Sequence, residues 1–163
     1  MKKNKYSKRV MFISSVGGHL TQLLQLKKIF SDYDYVLVTE YTSITEKMNQ
    51  QFNIEYLKYG SRQYFFRYLF IFCYNILKSF YLFFKYCPKV LITTGAHTAV
   101  PMCYIARIFG CKVIFIESFA KRKTPTLSGK LIYPVSNTFV IQWKEMKRHY
   151  PKAVYWGRIY WWF

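Results

Sequence analysis

A single carboxylate, Glu117, ends an apolar run and stands shortly before a basic cluster. It is the only acidic residue within 56–144. The run before it, 113–116 (VIFI), is continuously apolar, which is typical of a strand buried on both faces of a parallel sheet. Because ligands bind outside the carboxyl ends of such strands, we expect Glu117 to lie at a crevice as a catalytic residue. The side chains expected to bind substrate beside it are Ser118, Lys121 and Arg122, although an ion pair from Glu117 to either basic residue is the structural alternative.

A glycine pair followed by histidine, Gly17-Gly18-His19, lies where the first apolar strand gives way to a helix. Paired glycines let the backbone approach a ligand closely, and a helix N-terminus attracts phosphate. A dinucleotide-binding fingerprint is excluded, because only two glycines are present and Glu40 is a poor match for the acidic residue that binds ribose. Ser15, Gly17 and Gly18 are therefore candidates for binding a phosphate or diphosphate. Taken alone, the turn is explained more simply as a tight turn in which His19 caps the helix.

A second strand-to-helix turn, 93–98 (TTGAHT), falls at the same edge of the expected sheet. Loops at the carboxyl ends of parallel strands converge. We therefore expect Gly95, His97 and Thr98 to bind substrate in the crevice that also contains Glu117. The alternative is that Thr98 caps the following helix and His97 is merely exposed.

Strand and helix signals alternate along the whole chain, and no repeat or linker interrupts them. This pattern predicts an α/β fold with a Rossmann-like, doubly wound parallel sheet in a single domain, 1–163. Strands are expected at 10–14, 35–39, 54–59, 90–94, 113–116 and 138–142. Helices are expected at about 20–30, 43–51, 64–86 and 98–109.

The composition excludes a disordered chain and indicates an anionic partner. Hydrophobic residues make up 52% and aromatic residues 21% of the 163 positions, enough for one sizeable core. A net charge of +18 favours binding to nucleic acid, acidic lipid or a phosphorylated substrate. The four cysteines have no CxxC spacing, which indicates reduced thiols in a cytosolic protein. The sequence predicts no metal site and no cofactor, and its basic start lacks the apolar segment of a signal peptide.

The aromatic stretch 64–86 has the length of a membrane span but not its composition. Its longest charge-free run, 68–77, is much shorter than the about 20 apolar residues that spanning requires. At a helical step of about 100° per residue, its cationic side chains share one face and aromatic side chains occupy the rest. We expect an amphipathic helix in an anionic membrane interface, although packing of part of the aromatic face on the sheet is the alternative. Membrane contact is expected from Phe65, Phe66, Arg67, Lys78, Phe83, Phe84 and Lys85.

The segment 154–163 (VYWGRIYWWF) combines several aromatic side chains with an arginine. Exposed aromatic residues with arginine are typical of the buried centre of a protein interface. The alternative is that the segment folds back onto its own core. The residues expected to contact a partner are Trp156, Arg158, Tyr160, Trp161, Trp162 and Phe163.

Several motifs, spread over the chain, resemble those of one family in the same order. They are SSVGGHLTQLL at 14–24, PKVLITTGAHTAVP at 88–101, ESFA at 117–120, LSGKxxYP at 127–134 and FVIQW at 139–143. The family comprises the membrane-associated subunits of split lipid-linked glycosyltransferases. Its bacterial members belong to capsule and exopolysaccharide synthesis (the PssD and CpsF type, called β-1,4-galactosyltransferase enhancers). Its eukaryotic relative is the membrane anchor of the dolichyl-diphosphate N-acetylglucosamine transferase.

The resemblance implies that this chain is the N-terminal, acceptor-side lobe of a two-lobed GT-B transferase, since each lobe takes about 150 residues. A donor-binding glycosyltransferase subunit would supply the UDP-sugar and dock near the C-terminus. This chain would bind a sugar acceptor linked to a lipid diphosphate. The eukaryotic anchor has an N-terminal transmembrane helix that this sequence lacks. We therefore expect peripheral attachment to the anionic cytoplasmic face of the plasma membrane.

The resemblance also assigns roles to the two glycine-rich loops. It places Gly17-Gly18-His19 against the acceptor diphosphate, with His19 as general base for the attacking sugar hydroxyl, because imidazole titrates in the right range. The second loop resembles one in the acceptor domain of MurG. Capsule-type members share its GAHT sequence, whereas the eukaryotic anchor has no histidine there, which favours binding over catalysis for His97. The competing interpretation is a basic nucleic-acid-binding domain, for which the charge is present but no known motif is.

Overall fold

The structure, a computed structural model, describes residues 6–61 and 63–159. The strands are β1 (Tyr6–Ser14), β2 (Tyr33–Glu40), β3 (Ile54–Leu57), β4 (Val90–Gly95), β5 (Lys112–Ile116), β6 (Thr138–Ile141) and β7 (Val154–Tyr155). The α-helices are α1 (Gly18–Leu23), α2 (Ser43–Glu46), α3 (Phe65–Tyr86), α4 (Ala99–Ile108) and α5 (Leu127–Ile132). The strands form one sheet in the order β3-β2-β1-β4-β5-β6-β7, with every neighbouring pair parallel. This confirms the predicted Rossmann-like fold, and the strand order reverses between β1 and β4, where such folds bind ligands.

Several regions differ from the elements expected from the sequence; the predicted helix 43–51, for example, consists of α2 and a 3-10 helix, Lys47–Gln50. The predicted helix 20–30 is split into α1 and a 3-10 helix, Leu24–Asp32. No helix is predicted after Glu117, yet α5 lies there. It begins where the Thr126 hydroxyl oxygen accepts a hydrogen bond from the Gly129 N–H at 2.9 Å. A single six-residue turn containing serine and glycine is too short to show helical periodicity in the sequence.

Both faces of the sheet are covered, which explains the continuous apolar runs of its central strands. On one face, Met11 and Val38 pack in a cluster that includes Leu82 of α3 and Met102 of α4. On the other face, strand residues pack against α1 and the 3-10 helix that follows it. The covering helices leave the carboxyl ends of β1, β4 and β5 at one edge, and the loops that follow these strands therefore meet there.

The long helix α3 turns part of its polar side towards the sheet. The Asn75 side chain is buried and closes the end of β3: its amide donates to the Lys58 carbonyl at 2.8 Å and its oxygen accepts from the Lys58 N–H at 2.9 Å. Near the C-terminal end of the helix, the Lys85 ammonium contacts the Glu55 carboxylate at 2.6 Å. These contacts fix the helix along the sheet edge. The aromatic side is consequently the one that faces away from the sheet.

The expectation of membrane contact is wrong for Phe83. Its ring is 5% exposed and packs on the Phe109 ring, because it lies on the same side of α3 as the buried Leu82. Phe66 and Phe84, in contrast, are 77% and 53% exposed. Within residues 6–61 and 63–159, no helix has both the length and the apolar composition needed to cross a membrane.

Candidate functional site

The two glycine-rich loops meet where the strand order reverses. The Ser15 N–H donates to the Gly95 carbonyl at 3.1 Å, and the Ser15 and Thr98 hydroxyls share a short hydrogen bond. Thr98 precedes α4 but makes no side-chain capping bond there, so the simple capping explanation for this residue is wrong. Gly95 has φ +93°, and a Cβ at this position would lie 2.9 Å from the Ser128 hydroxyl. The second loop therefore requires glycine both for its backbone conformation and for its close packing.

His19 is held by the strand of the other loop. Its Nδ1 lies 2.7 Å from the Thr94 carbonyl oxygen, and the Thr94 hydroxyl donates to the His19 carbonyl at 2.8 Å. A carbonyl oxygen only accepts, so Nδ1 carries the proton of this bond. In the neutral ring the lone pair is then on Nε2. This is the tautomer that a general base needs.

A pocket of about 410 Å³ opens between the loops, α3 and the segment that carries α5. Two histidines and a lysine supply its ionisable groups, and aromatic and aliphatic side chains of α3 and α5 form much of its apolar lining. The site residues His19, His97 and Lys121 are therefore brought together as the sequence predicts. The residues that line the pocket include His19, His97, Lys121, Tyr68, Phe72, Leu127 and Leu131.

Glu117 is 1% exposed. Both oxygens of its carboxylate accept hydrogen bonds from other groups in the described part of the chain. Oε1 accepts from the Ser118 N–H at 2.8 Å and the Thr126 hydroxyl at 2.8 Å. Oε2 accepts from the Tyr150 hydroxyl at 2.9 Å and the Thr126 N–H at 3.3 Å. Burial and the adjacent carboxylate raise the pKa of Tyr150, which therefore donates. These bonds hold both ends of the loop 118–126, a geometry that favours a positioning role for Glu117 over catalysis.

The backbone of Glu117 is fixed as firmly as its side chain. Its carbonyl oxygen accepts from the Gln22 amide at 3.2 Å and from the Gln142 amide at 2.8 Å. Both glutamines are buried. The sequence analysis does not single them out, although each lies within a motif on which the family resemblance depends, SSVGGHLTQLL or FVIQW.

Two of the basic residues expected beside Glu117 take different positions. The Arg122 guanidinium pairs with Glu145 at 2.7 Å, and both side chains are largely exposed. The proposed ion pair between Arg122 and Glu117 is therefore wrong, because the arginine turns outwards. Lys121 lines the pocket and stays a candidate for binding substrate.

Glu40 is a poor match for a ribose-binding acidic residue in the sequence. In the structure it lies directly beneath the two loops, at the end of β2. It is 1% exposed; Oε2 accepts from the Val16 N–H at 3.1 Å, and Oε1 lies 3.6 Å from His97 Nε2. Desolvation by burial raises the pKa of Glu40, opposed by the backbone hydrogen bond from Val16. The His97 side chain is only 24% exposed and its ring centroid lies 5.5 Å from that of Tyr68, so His97 is not merely an exposed residue.

The described part of the C-terminal segment packs beside the same edge of the sheet. The Arg158 guanidinium lies 4.5 Å from the centroid of the Trp143 ring, and Arg122 lies 5.0 Å from it. Trp156 is 67% exposed and borders an apolar groove of about 300 Å³ that also includes Ile29 and Ile114. The remaining predicted partner contacts, Tyr160, Trp161, Trp162 and Phe163, lie outside the described residues.

Solved structures with the same fold are about twice the length of this chain. MurG of Acinetobacter baumannii superposes with a TM-score of 0.70 at 16% identity, over 85% of this chain and 42% of that one. The UDP-N-acetylglucosamine 2-epimerase of Rickettsia bellii superposes with a TM-score of 0.73 at 13% identity, over 94% of this chain and 46% of that one. The fold class is therefore Rossmann-like α/β, and the chain has the size of one lobe of a GT-B protein.

Residues 10–159 match the family described as "Oligosaccharide biosynthesis protein Alg14 like", and the chain belongs to that family. The UDP-N-acetylglucosamine transferase subunit ALG14 of Mus musculus is 28% identical over 94% of this chain and 83% of its own length. The human protein of the same name is 26% identical over 92% and 82%. That of Debaryomyces hansenii is 40% identical over 43% of this chain and 33% of its own length. The expected kinship with the eukaryotic anchor subunit is thus confirmed.

Proposed function

We propose that this chain is the acceptor-binding, membrane-associated subunit of a two-chain glycosyltransferase. The enzyme would transfer a sugar from a UDP-sugar to a saccharide linked to a lipid diphosphate, in capsular or exopolysaccharide synthesis. The observation that carries this proposal is the pocket in which His19, His97 and Lys121 face apolar side chains of α3 and α5. The family supports it, because the relatives above are named as subunits of a UDP-N-acetylglucosamine transferase.

The pocket has the chemistry of a site for an anionic group attached to a lipid. Its basic side chains are suited to a diphosphate, and the chain as a whole carries a net charge of +18. Tyr68 and Phe72 of α3 form one wall, and Leu127 and Leu131 of α5 form another. A soluble sugar phosphate has no apolar part that could pack against these side chains. A lipid diphosphate places its polar and apolar parts next to each other in the same way.

The aromatic surface of α3 is suited to hold this pocket at a membrane. We define this surface by the large apolar side chains that are most exposed along the helix, and large exposed apolar patches mark sites of interaction. It extends to the end of α4, since the Phe84 and Phe109 rings lie 4.9 Å apart and Ile108 is 73% exposed. Peripheral contact with the cytoplasmic face of the plasma membrane follows from this proposal. The members of the surface are Phe65, Phe66, Phe70, Leu77, Tyr81 and Phe84.

In the proposed reaction, a hydroxyl of the acceptor sugar attacks the anomeric carbon of the donor, and UDP leaves. His19 Nε2 takes the proton of the attacking hydroxyl, since Nδ1 is engaged by the Thr94 carbonyl. His97 and Lys121 bind the acceptor diphosphate. Glu117 acts indirectly, because its hydrogen bonds hold the loop that brings Lys121 to the pocket.

A second chain is needed because a GT-B active site lies between two lobes and this chain has the size of one. We infer that the donor-binding subunit docks at the surface that includes Trp156 and Arg158. The exposed Trp156 ring and the apolar groove beside it support this position. Nucleic-acid binding is the less favoured function, because the net charge is its only support.

The test is reconstitution with the donor-binding subunit encoded alongside this chain, with transfer measured from a UDP-sugar to a diphosphate-linked lipid sugar in vesicles. We expect the single chain to transfer almost nothing and the pair to be active. In the pair, His19→Gln should lower kcat by about 10²- to 10⁴-fold without releasing the chain from vesicles. His149→Gln is the matched control, because this exposed imidazole lies outside the pocket, where the Arg148 guanidinium and the Lys123 carbonyl contact it. Robust transfer by the single chain, or full activity of the His19 variant, would contradict the proposal.

A further inference from the structure

One buried acidic side chain beneath the pocket has no part in the reaction proposed above. Glu40 Oε1 is buried and has no hydrogen-bond partner among residues 6–61 and 63–159, an uncommon state for a carboxylate oxygen. The other oxygen, Oε2, accepts the N–H of Val16, the residue before the first glycine-rich loop. The nearest ionisable group of the second loop is His97, whose Nε2 lies 3.6 Å from Oε1. Glu40 thus stands between the two loops at the edge of the sheet.

Strand alternation explains why a carboxylate at this position reaches the second loop. Side chains two residues apart in a strand point to the same face. Val36 and Val38 belong to the core on the α3 and α4 face, so Glu40 points to that face as well. The second loop leads directly into α4 on the same face. Glu40 is therefore directed at His97 by the sheet itself.

A buried carboxylate without a full set of hydrogen bonds is unfavourable unless a positive charge compensates it. Burial raises the pKa of Glu40, and the single backbone bond from Val16 only partly opposes this. Among the described residues, His97 can supply this charge when protonated, because its Nε2 lies 3.6 Å from Glu40 Oε1, so the charges of the two groups are coupled. Other described groups near His97 are the Tyr68 ring and, across the pocket, His19 and Lys121. The last two are basic and disfavour a proton on His97, whereas the Glu40 carboxylate favours it.

We propose that Glu40 is a positioning residue: its buried carboxylate ties the first glycine-rich loop to His97 and keeps that imidazole cationic and directed into the pocket. The ligand that such an imidazole recognises is a phosphate-bearing group. The inference deepens the proposed function, since it names the residue that prepares the second loop for the acceptor diphosphate. Its effect on the reaction is a matter of acceptor binding and not of the chemical step.

The first test needs no substrate and uses the full-length chain. The chain has three histidines, so NMR titration of their ring signals resolves each, with His97→Asn assigning one of them. Glu40→Gln should lower the pKa of His97 by about 1 to 3 units, the usual effect of losing an opposite charge at this range. Glu46→Gln is the matched control, because it makes the same change at an exposed position. An unchanged titration of His97 in folded Glu40→Gln would overturn the proposal.

If Glu40→Gln does not fold, Glu40→Asp provides the same test, because it keeps the charge but withdraws it by one methylene. We then expect a smaller fall in the pKa of His97, and no fall would overturn the proposal. In the reconstituted enzyme, Glu40→Gln should raise KM for the lipid acceptor about tenfold at neutral pH and leave KM for the UDP-sugar unchanged. On the His97→Asn background the same change should have almost no further effect. A full effect on that background would contradict the coupling.

The two sets of measurements separate this inference from the proposed function. A wild-type pair that transfers no sugar would refute the proposed function, while the titration of His97 would still decide whether Glu40 controls it. If the wild-type pair transfers sugar and Glu40→Gln leaves KM for the lipid acceptor unchanged, this inference alone is refuted.

Discussion

Replacing Glu117 with Gln tests whether this residue organises the site or catalyses the reaction. Each carboxylate oxygen accepts one backbone N–H and one hydroxyl. The hydroxyls can turn to accept from the new amide, but the backbone N–H groups of Ser118 and Thr126 cannot. Whichever oxygen becomes NH₂, one buried N–H loses its acceptor, and the other bonds lose the strength that a charge gives them. We expect a loss of about 3 to 5 kcal/mol in the free energy of unfolding, or about 6 to 20 °C in Tm.

The measurement is thermal unfolding of Glu117→Gln beside Glu145→Gln. Glu145 forms an exposed ion pair with Arg122, so the same chemical change there should leave Tm almost unchanged. Below the new Tm, the reconstituted Glu117 variant should keep most of its kcat but need more acceptor, because the loop that carries Lys121 is loosened. A Tm within a degree of the wild type, combined with a collapse of kcat, would refute the positioning role and make Glu117 catalytic after all.

Two further predictions concern α3 and the packing around the buried carboxylate. Replacing the exposed Phe66 and Phe84 with Ser should abolish flotation with anionic vesicles and leave Tm unchanged. Phe83→Ser makes the same change at a buried ring and should lower the free energy of unfolding, measured by urea denaturation, by about 3 to 5 kcal/mol. Continued flotation of the double variant would place the membrane contact elsewhere. Gly129→Ala would place a Cβ 2.2 Å from Glu117 Oε2 and should lower the free energy of unfolding by about 1 to 3 kcal/mol. The Cβ of Gly18→Ala would meet no atom within 4 Å, so this variant should unfold like the wild type. Equal stability of the two alanine variants would contradict this packing.

The sheet could be predicted because two-sided burial leaves a clear trace in the sequence. The continuous apolar runs before Ser14, Thr93 and Glu117 mark central strands, and the ends of these strands mark the edge at which the candidate site forms. Glycines at 17 and 95 indicated where backbone must turn sharply, and both have positive φ in the structure. The location of the site therefore follows from local sequence alone.

The partners of the site residues could not be predicted, because they are distant in the chain. Nothing near Glu117 in sequence shows that its charge is bound by Tyr150, and basic neighbours suggested an ion pair that does not form. Glu40 and His97 likewise meet only because β2 and β4 flank β1. Residue type restricted the candidates, but the hydrogen-bond partner decided the role of each.

The sequence leaves ambiguous, for a different reason, which face of α3 makes the proposed membrane contact. Aromatic side chains suit both a protein core and a membrane interface, so periodicity alone does not separate the adjacent rings Phe83 and Phe84. The buried position of Asn75 resolves the ambiguity, because its two bonds to Lys58 set the rotation of the helix.

The same rotation joins the two proposed tasks of α3, membrane contact and acceptor binding. Tyr68 and Phe72 line the pocket, while Phe66 and Phe70, on the same half of the helix, are exposed. The helix is held to the sheet mainly through its other half, by Asn75 and the residues after it. The half beside the pocket is thus the half most open to lipid. Under the proposed function, a lipid entering between this half and α5 would bring its diphosphate to the two histidines without leaving the membrane, so that one subunit would need both the acceptor site and the membrane surface.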